Sequence, residues 1–325
     1  MKHRILIYGG LGNVSRERII PALDSLRTNF VIEYATVDMV DTNQGKHYLF
    51  GSEPASEYNS AIIATPNNTH SSITISALNS GLNILCEKPI SHTLDSAKQM
   101  ILVAQNHPAL TSMLCDHYIY KPAIRNAIKN WERYRKELGN ILSIKATVFE
   151  RELQKGREWL FFSKIAGGGI AMDTGFHIVS IMGKLFGFDN LRVIESKMKR
   201  YPHAPGDAET YASIILSAGQ VPIYIEVGKW MGKVDKQIIF QGDKALLTAR
   251  LGWTSTKQWF TIPPYGGRKM LSRMRLWTRG INIWIYGRFL NNLRGGCNSY
   301  FGLDKSLLRM RQLCYCYLLY LVGAK

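Results

Sequence analysis

Apolar positions in the first third of the chain fall into short runs separated by segments of helical period. "RILIYGG" predicts a strand entering a glycine turn, and Ser15 to Leu26 predicts a helix. "NFVIEYATVD" predicts a second strand, "SAIIATP" a third, and Ser71 to Ser80 a helix leading into the strand "NILCEKP". Strand, helix, strand repetition predicts a right-handed parallel sheet. From Leu142 the pattern changes to strand-like runs joined mostly by short turns: "SIKATVFER", "VIESKMKR", "ETYASIIL", "VPIYIEVGKW", "KQIIF" and "ALLTAR". These predict an antiparallel or mixed sheet, interrupted by a helix from about Gly169 to Leu185. A final helix is expected over Asp304 to Val322.

The expected fold class is therefore α/β. An N-terminal Rossmann dinucleotide-binding domain, residues 1–118, precedes an α/β domain, residues 119–325, with a predominantly antiparallel open sheet and a basic tail. A chain of 325 residues exceeds the usual size of one core, and 46% hydrophobic content can fill two.

The turn "YGGLGNV" supports the first assignment, since it follows an apolar strand and opens a helix. Backbone N–H groups of such a turn can approach a pyrophosphate, which makes Gly9, Gly10, Gly12, Asn13 and Val14 cofactor-binding candidates. Gly10 and Gly12 fit the first two positions of GxGxxG, and Ser15 stands at the third, so an ordinary tight turn is the competing reading. Asp38 ends the second strand, where a carboxylate accepts from an adenosine ribose diol and disfavours a 2′-phosphate. NAD is favoured over NADP, which Arg16 and Arg18 keep open.

Charge also gathers where the buried strand "NILCEKP" ends. In an open parallel sheet that edge faces the ligand crevice, so Glu87 and Lys88 are placed for chemistry rather than packing. Oxidising a secondary alcohol needs a base within hydrogen-bond reach of its oxygen. A histidine ordinarily titrates near neutrality, and His177 follows Asp173 by four residues, on one helix face.

"ATPNNTH" (64–70), "CEKP" (86–89) and "GGGIAMDTGFH" (167–177), in that order, resemble the Gfo/Idh/MocA family of NAD(P)-dependent sugar and cyclitol oxidoreductases. "YGGLGNVSRERIIPAL", "DHYIYK" and "VPIYIEVGK" also resemble the glucose-6-phosphate dehydrogenase family. The combined likeness covers about residues 5–250. It implies that Lys88 donates to the reacting oxygen, that the following Pro89 is cis, and that Thr65, Pro66, Asn67, His70 and Glu87 bind or brace the cofactor. It also implies that His177 is the base. Its partner carboxylate is Asp173 by the first likeness and Asp116 by the second, and both stay open. His117, Tyr118, Lys121 and Lys229 would hold a sugar phosphate.

The expected activity is hydride transfer between a nicotinamide cofactor and a hydroxyl or keto group of a sugar, sugar phosphate, nucleotide sugar or cyclitol. Alternatives are a hexose-6-phosphate 1-dehydrogenase and a non-catalytic dinucleotide sensor or scaffold. Retention of Lys88, Asp173 and His177 argues against the last. No metal is required, because lysine and histidine cover the electrostatic and proton-transfer tasks.

A net charge of +17 favours an anionic substrate, and no nucleic-acid motif accompanies it. Between Arg268 and Arg311 the only acidic residue is Asp304. The interleaved Arg273, Arg275, Trp277, Arg279, Trp284 and Arg288 suit either packing or peripheral contact with anionic lipid. Five cysteines without CxxC spacing suggest neither a disulfide framework nor a zinc site, and a reduced state is expected. No run reaches the roughly 18 uncharged apolar residues of a membrane span, so a cytoplasmic protein is expected. The open sheet suggests a homo-oligomer.

Overall fold

A computed structural model describes residues 2–42, 45–151, 156–251, 258–261, 268–272, 286, 288–291 and 293. The chain divides into two compact units that separate between His117 and Tyr118, and the described residues from 286 to 293 group with the first. The final expected helix, Cys297, Cys314, Cys316 and the tail's Arg273, Arg275, Trp277, Arg279 and Trp284 lie outside the described residues. The sequence pattern places 119–325 in the second domain, whereas Tyr286, Arg288 to Asn291 and Leu293 group with the first unit.

In the first unit, six strands form one parallel sheet: β1 (Lys2–Tyr8), β2 (Val31–Asp38), β3 (His47–Leu49), β4 (Ser60–Ile63), β5 (Asn83–Glu87) and β6 (Ser112–Cys115). Their order is β3-β2-β1-β4-β5-β6, so the direction of winding reverses between β1 and β4. Helices α1 (Ile20–Leu26), α2 (His70–Asn79) and α3 (Leu94–Asn106) lie in the connections. Central strands read as unbroken apolar runs because both faces are covered. Ile5, Leu6 and Ile7 are fully buried, and all four residues of β4 are buried. Thr93 caps α3 by accepting from the backbone N–H of Ser96 at 3.3 Å, supplying one acceptor that the first turn lacks. The expected helix 15–26 opens instead as a wide π-type turn, Ser15–Ile19, before α1.

The second unit begins with α4 (Pro122–Lys129) and α5 (Trp131–Leu138), followed by β7 (Ile141–Phe149), α6 (Ser163–Ala166) and α7 (Phe176–Phe186). Strands β8 (Leu191–Lys199), β9 (Tyr211–Ala218), β10 (Val221–Gly228), β11 (Asp235–Gly242), β12 (Leu246–Arg250), β13 (Gln258–Thr261) and β14 (Arg268–Ser272) complete it. The sheet order is β14-β13-β12-β11-β7-β10-β9-β8. Only the β7–β10 pair is parallel. This is the mixed, mostly antiparallel sheet that the alternating pattern implies. On β9 every second residue is buried, the period-2 signature of a strand with one covered face.

The stretch Ser163–Phe186, 24 residues, is long and apolar enough to cross a membrane by length and composition, although Lys164, Asp173 and Lys184 interrupt it. In the structure 89% of its apolar window is buried, so those side chains form the core of the second unit.

Candidate active site

The first unit gathers its candidate groups along the carboxyl edge of the parallel sheet. The chain leaves β1 through Gly9, whose φ of +75° suits glycine, and a Cβ there would meet the Ala64 carbonyl oxygen at 2.6 Å. A Cβ at Gly10 would meet Thr36 Cβ at 2.3 Å, so the turn can lie this close to β2 only with glycine. Gly12 donates to the Gly9 carbonyl at 3.0 Å, and Ser15 Oγ donates to the same oxygen at 2.8 Å. Serine at the third fingerprint position thus closes the turn by a hydrogen bond. Asn13 and Val14 continue it into the wide first helical turn.

Asp38 stands at the end of the neighbouring strand. Its Oδ2 accepts from Leu11 N–H in the glycine turn at 3.1 Å, and its Oδ1 from Met39 N–H at 2.9 Å. A carboxylate fixed beside a glycine turn, at the winding reversal of an open parallel sheet, is the arrangement that accepts a dinucleotide. The residues present fit that group.

The turns after β4 and β5 are tied together by His70. Its ring is fully buried, with Nδ1 2.9 Å from the Pro89 carbonyl oxygen and Nε2 2.9 Å from that of Thr65. Burial pushes its pKa down and the nearby Lys88 charge adds to this, while the carbonyls of Pro89, Thr65 and Ile90 oppose it. His70 therefore lies behind the turn as a brace. Thr69 Oγ1 donates to Thr65 Oγ1 at 2.7 Å and to the Pro66 carbonyl at 2.8 Å, and Asn67 is buried beside them.

The Lys88–Pro89 peptide is cis. Lys88 is half-buried, and its backbone N–H donates to Glu87 Oε2 at 3.3 Å, so Glu87 braces the turn that carries the lysine. Tyr286, invisible to motif reading because it lies far along the chain, is buried in the same unit. Burial drives its phenol pKa well up, with Cys115 and Glu87 acting in the same direction. Cys86 and Cys115 are free and buried, which raises both thiol pKa values and makes them poor nucleophiles. Asp116 and His117, both buried, end this unit after β6.

The second unit holds the remaining candidates. A π-type turn, Ala171–Gly175, carries Asp173 and runs into α7, whose second residue is His177. The imidazole is 2% exposed and stacks on Tyr118, with ring centroids 4.0 Å apart and planes at 8°. Lys121 Nζ lies 3.4 Å from the Tyr118 ring centroid and donates to the Leu251 carbonyl at 2.7 Å. At 1% exposure, Lys121 is part of the interior. A desolvated cation on a ring contributes about 2 kcal/mol and a stacked ring pair about 0.5–1.5 kcal/mol, enough to fix the face of His177.

Lys229, at the end of β10, pairs with Glu150, which also binds Lys236. Burial lowers the Lys236 pKa while Asp173 opposes it, so the residues flanking His177's helix and the β7, β10 and β11 ends form one charged neighbourhood. Sequence reading missed Glu209, whose carboxylate accepts from Gly169 N–H at 2.9 Å and Ala171 N–H at 3.0 Å. The only sequence signal was an acid, two residues after Asp207, just before an apolar strand. Among the described residues, no group of three or more metal-ligating side chains occurs.

Residues 23–114 match the model of an oxidoreductase family with an NAD-binding Rossmann fold, Gfo/Idh/MocA. Over this stretch the chain is similar to members of this family. It is similar to levoglucosan dehydrogenase of Pseudarthrobacter phenanthrenivorans, 31% identical over 38% of this chain and 32% of that one. It is also similar to glucose-6-phosphate 3-dehydrogenase of Bacillus subtilis, 29% identical over 46% of this chain and 43% of that one. The chain thus spans less than half the length of these two curated relatives.

Solved structures extend the likeness of fold over the chain as a whole. A 3-ketoreductase from Actinomadura kijaniata, in complex with NADP and TDP-benzene, superposes with a TM-score of 0.82 at 15% identity, covering 99% of this chain and 98% of that one. Levoglucosan dehydrogenase in complex with NADH and levoglucosan gives 0.80 at 15% identity, covering 100% and 98%. These likenesses establish the two-part architecture, a Rossmann sheet and a mixed sheet.

Proposed function

We propose that the protein transfers a hydride between NAD or NADP and a hydroxyl or keto carbon of a sugar-type substrate. The observation that carries this reading is the carboxyl edge of the parallel sheet. There the glycine turn, Asp38, the Thr65–His70 turn and the cis Lys88–Pro89 turn end adjacent strands around the winding reversal. The relatives whose names denote sugar dehydrogenases support the substrate class.

Gly9, Gly10, Gly12, Asn13 and Val14 would hold the pyrophosphate, Asp38 the adenosine ribose, and Thr65, Pro66, Asn67 and Glu87 the turns along the nicotinamide half. When bound, the nicotinamide supplies or accepts the hydride. Lys88 donates to the reacting oxygen and opposes negative charge developing on it. His177 holds the proton that leaves or joins that oxygen, with Asp173 or Asp116 orienting the imidazole. NAD is preferred, because a carboxylate at Asp38 repels a 2′-phosphate.

The finer reading is an anionic substrate group. It rests on the net charge of +17 and on Lys229, whose partner Glu150 can be exchanged for a ligand oxygen. His117 and Tyr118 remain in that reading, while Lys121 leaves it because its ammonium is committed to Leu251 and the Tyr118 ring.

The test follows absorbance of the reduced cofactor across sugars, cyclitols and their phosphates, with NAD and NADP in parallel. Turnover of at least one member supports the reading. Tight dinucleotide binding with no turnover across the panel would favour the sensor or scaffold alternative.

A further inference from the structure

Resting on the reading that His177 handles the proton, we propose that Glu209 is a positioning residue. Its carboxylate fixes the glycine loop 167–171, and with it the start of the helical segment that carries Asp173 and His177. Three hydrogen bonds join the two segments. Glu209 Oε2 accepts from Gly169 N–H at 2.9 Å, Oε1 from Ala171 N–H at 3.0 Å, and the Glu209 backbone carbonyl from Ile170 N–H at 3.0 Å.

The Gly169 carbonyl in turn accepts from Asp173 N–H at 2.9 Å. The carboxylate is thus linked through one residue to the backbone of Asp173, and through the next turn to His177. A Cβ on Gly169 would meet the Glu209 carbonyl oxygen at 1.9 Å, so the segments approach this closely only because residue 169 is glycine.

The placement answers a specific need. The first N–H groups of a helical segment have no partner within it, and here they are buried. The segment also opens with a wide π-type turn, whose backbone bonds are less regular than those of an α-helix. An acceptor fixed from outside sets where that turn starts. Glu209 is 8% exposed, and burial raises its pKa while the Gly169 and Ala171 N–H groups oppose the rise. A residue that only filled space would not carry a desolvated carboxylate.

The test uses the full chain with Glu209→Gln, Glu209→Ala and Gly169→Ala. Glutamine keeps the length and one acceptor but turns an amide NH2 toward one of the two N–H groups. The Gly169 variant keeps the carboxylate and displaces the loop. Circular dichroism and Tm report folding, quenching of tryptophan fluorescence reports the cofactor Kd, and steady-state kinetics use the best substrate of the panel. A titration of 13C-labelled histidine, with the His177 signal assigned by its loss in His177→Asn, reports the imidazole directly.

Misplacement by about 1 Å costs on the order of 100-fold in rate. We expect kcat to fall about 100-fold in Glu209→Ala and Gly169→Ala and about 10-fold in Glu209→Gln. The cofactor Kd should stay within about twofold in each case, and the His177 titration midpoint should move in each. Wild-type kcat with an unmoved His177 midpoint in the folded variants would overturn the proposal, as would a loss of rate that follows Tm alone. If Glu209→Ala does not fold, the other two variants decide. If the wild-type protein turns over no member of the panel, the proposed reaction fails, while the His177 titration still decides the role of Glu209.

Discussion

Lys88 and His177 occupy different units, yet each is set by a local device that does not depend on the other. Lys88 follows a buried apolar strand and precedes a cis proline held by His70, and His177 lies flat on Tyr118. Lys88→Ala and His177→Ala should each lower kcat by at least about 100-fold, the scale of a lost electrostatic donor or general base. Titration with reduced cofactor should give a Kd within about threefold of wild type, since neither residue contacts the adenosine half in the proposed reading. Near wild-type turnover in both variants would remove them from the chemistry.

Asp38→Ser should narrow the preference for NAD over NADP, measured as the ratio of kcat/KM, because removing the carboxylate removes its repulsion of a 2′-phosphate. A wild-type preference for NADP would contradict this assignment. At this scale the sequence was legible for residues in short motifs. The burial of Lys121 against the Leu251 carbonyl was not, because lysines look alike at sequence level.

Turns, not the regular strands, carry the candidate groups at the scale of elements. The strands of both sheets follow their apolar patterns closely because burial on one or two faces dictates period or run. The two π-type turns, Ser15–Ile19 and Ala171–Gly175, left no trace in periodicity, since one extra residue in a turn barely changes which positions are apolar. Glu209 was illegible for a related reason: its partners are backbone N–H groups 40 and 38 residues away.

His70 shows what such an element does under acid. Its ring is held neutral chiefly by burial, so its pKa in the fold lies below that in the unfolded chain. The unfolded chain then binds the proton more readily, and stability that is complete above about pH 6.5 is lost as pH falls below it. Tm should therefore fall more between pH 7 and pH 5 in the wild type than in His70→Gln, which lacks the titrating group. At pH 7 the variant should be less stable by about 1–3 kcal/mol, having lost a buried hydrogen-bond partner. Equal pH slopes in the two proteins would show that His70 does not titrate as described.

The whole molecule is strongly basic, and its two units differ in kind. The first is a parallel sheet whose carboxyl edge gathers the cofactor candidates, and the second is a mixed sheet whose buried helix carries His177. This division was legible because a parallel sheet built through helices and an antiparallel sheet built through short turns leave different patterns. The return of Tyr286 to the first unit was not, since long-range packing of a tail leaves no local signature.

A net charge of +17 should steer an anionic substrate, an effect screened over about 8–10 Å at physiological salt. KM for a phosphorylated sugar should rise when salt increases from 20 to 300 mM, roughly, while KM for its neutral analogue stays level. Lys229→Met should remove most of that difference. Identical salt responses for the two substrates would set the anionic reading aside.

The central claim is hydride transfer to or from a sugar carbon, and isotope transfer tests it most directly. Reduced cofactor deuterated at the nicotinamide C4, on each face in turn, is incubated with the keto form of the best panel substrate, and the product is analysed by mass spectrometry. The account predicts that one of the two cofactors delivers its deuterium to the sugar carbon bearing the new hydroxyl, and that Lys88→Ala slows this delivery with the deuterium still going to the same carbon. Deuterium retained entirely in the oxidised cofactor from both faces, or a sugar left unlabelled while reduced cofactor is consumed, would contradict it.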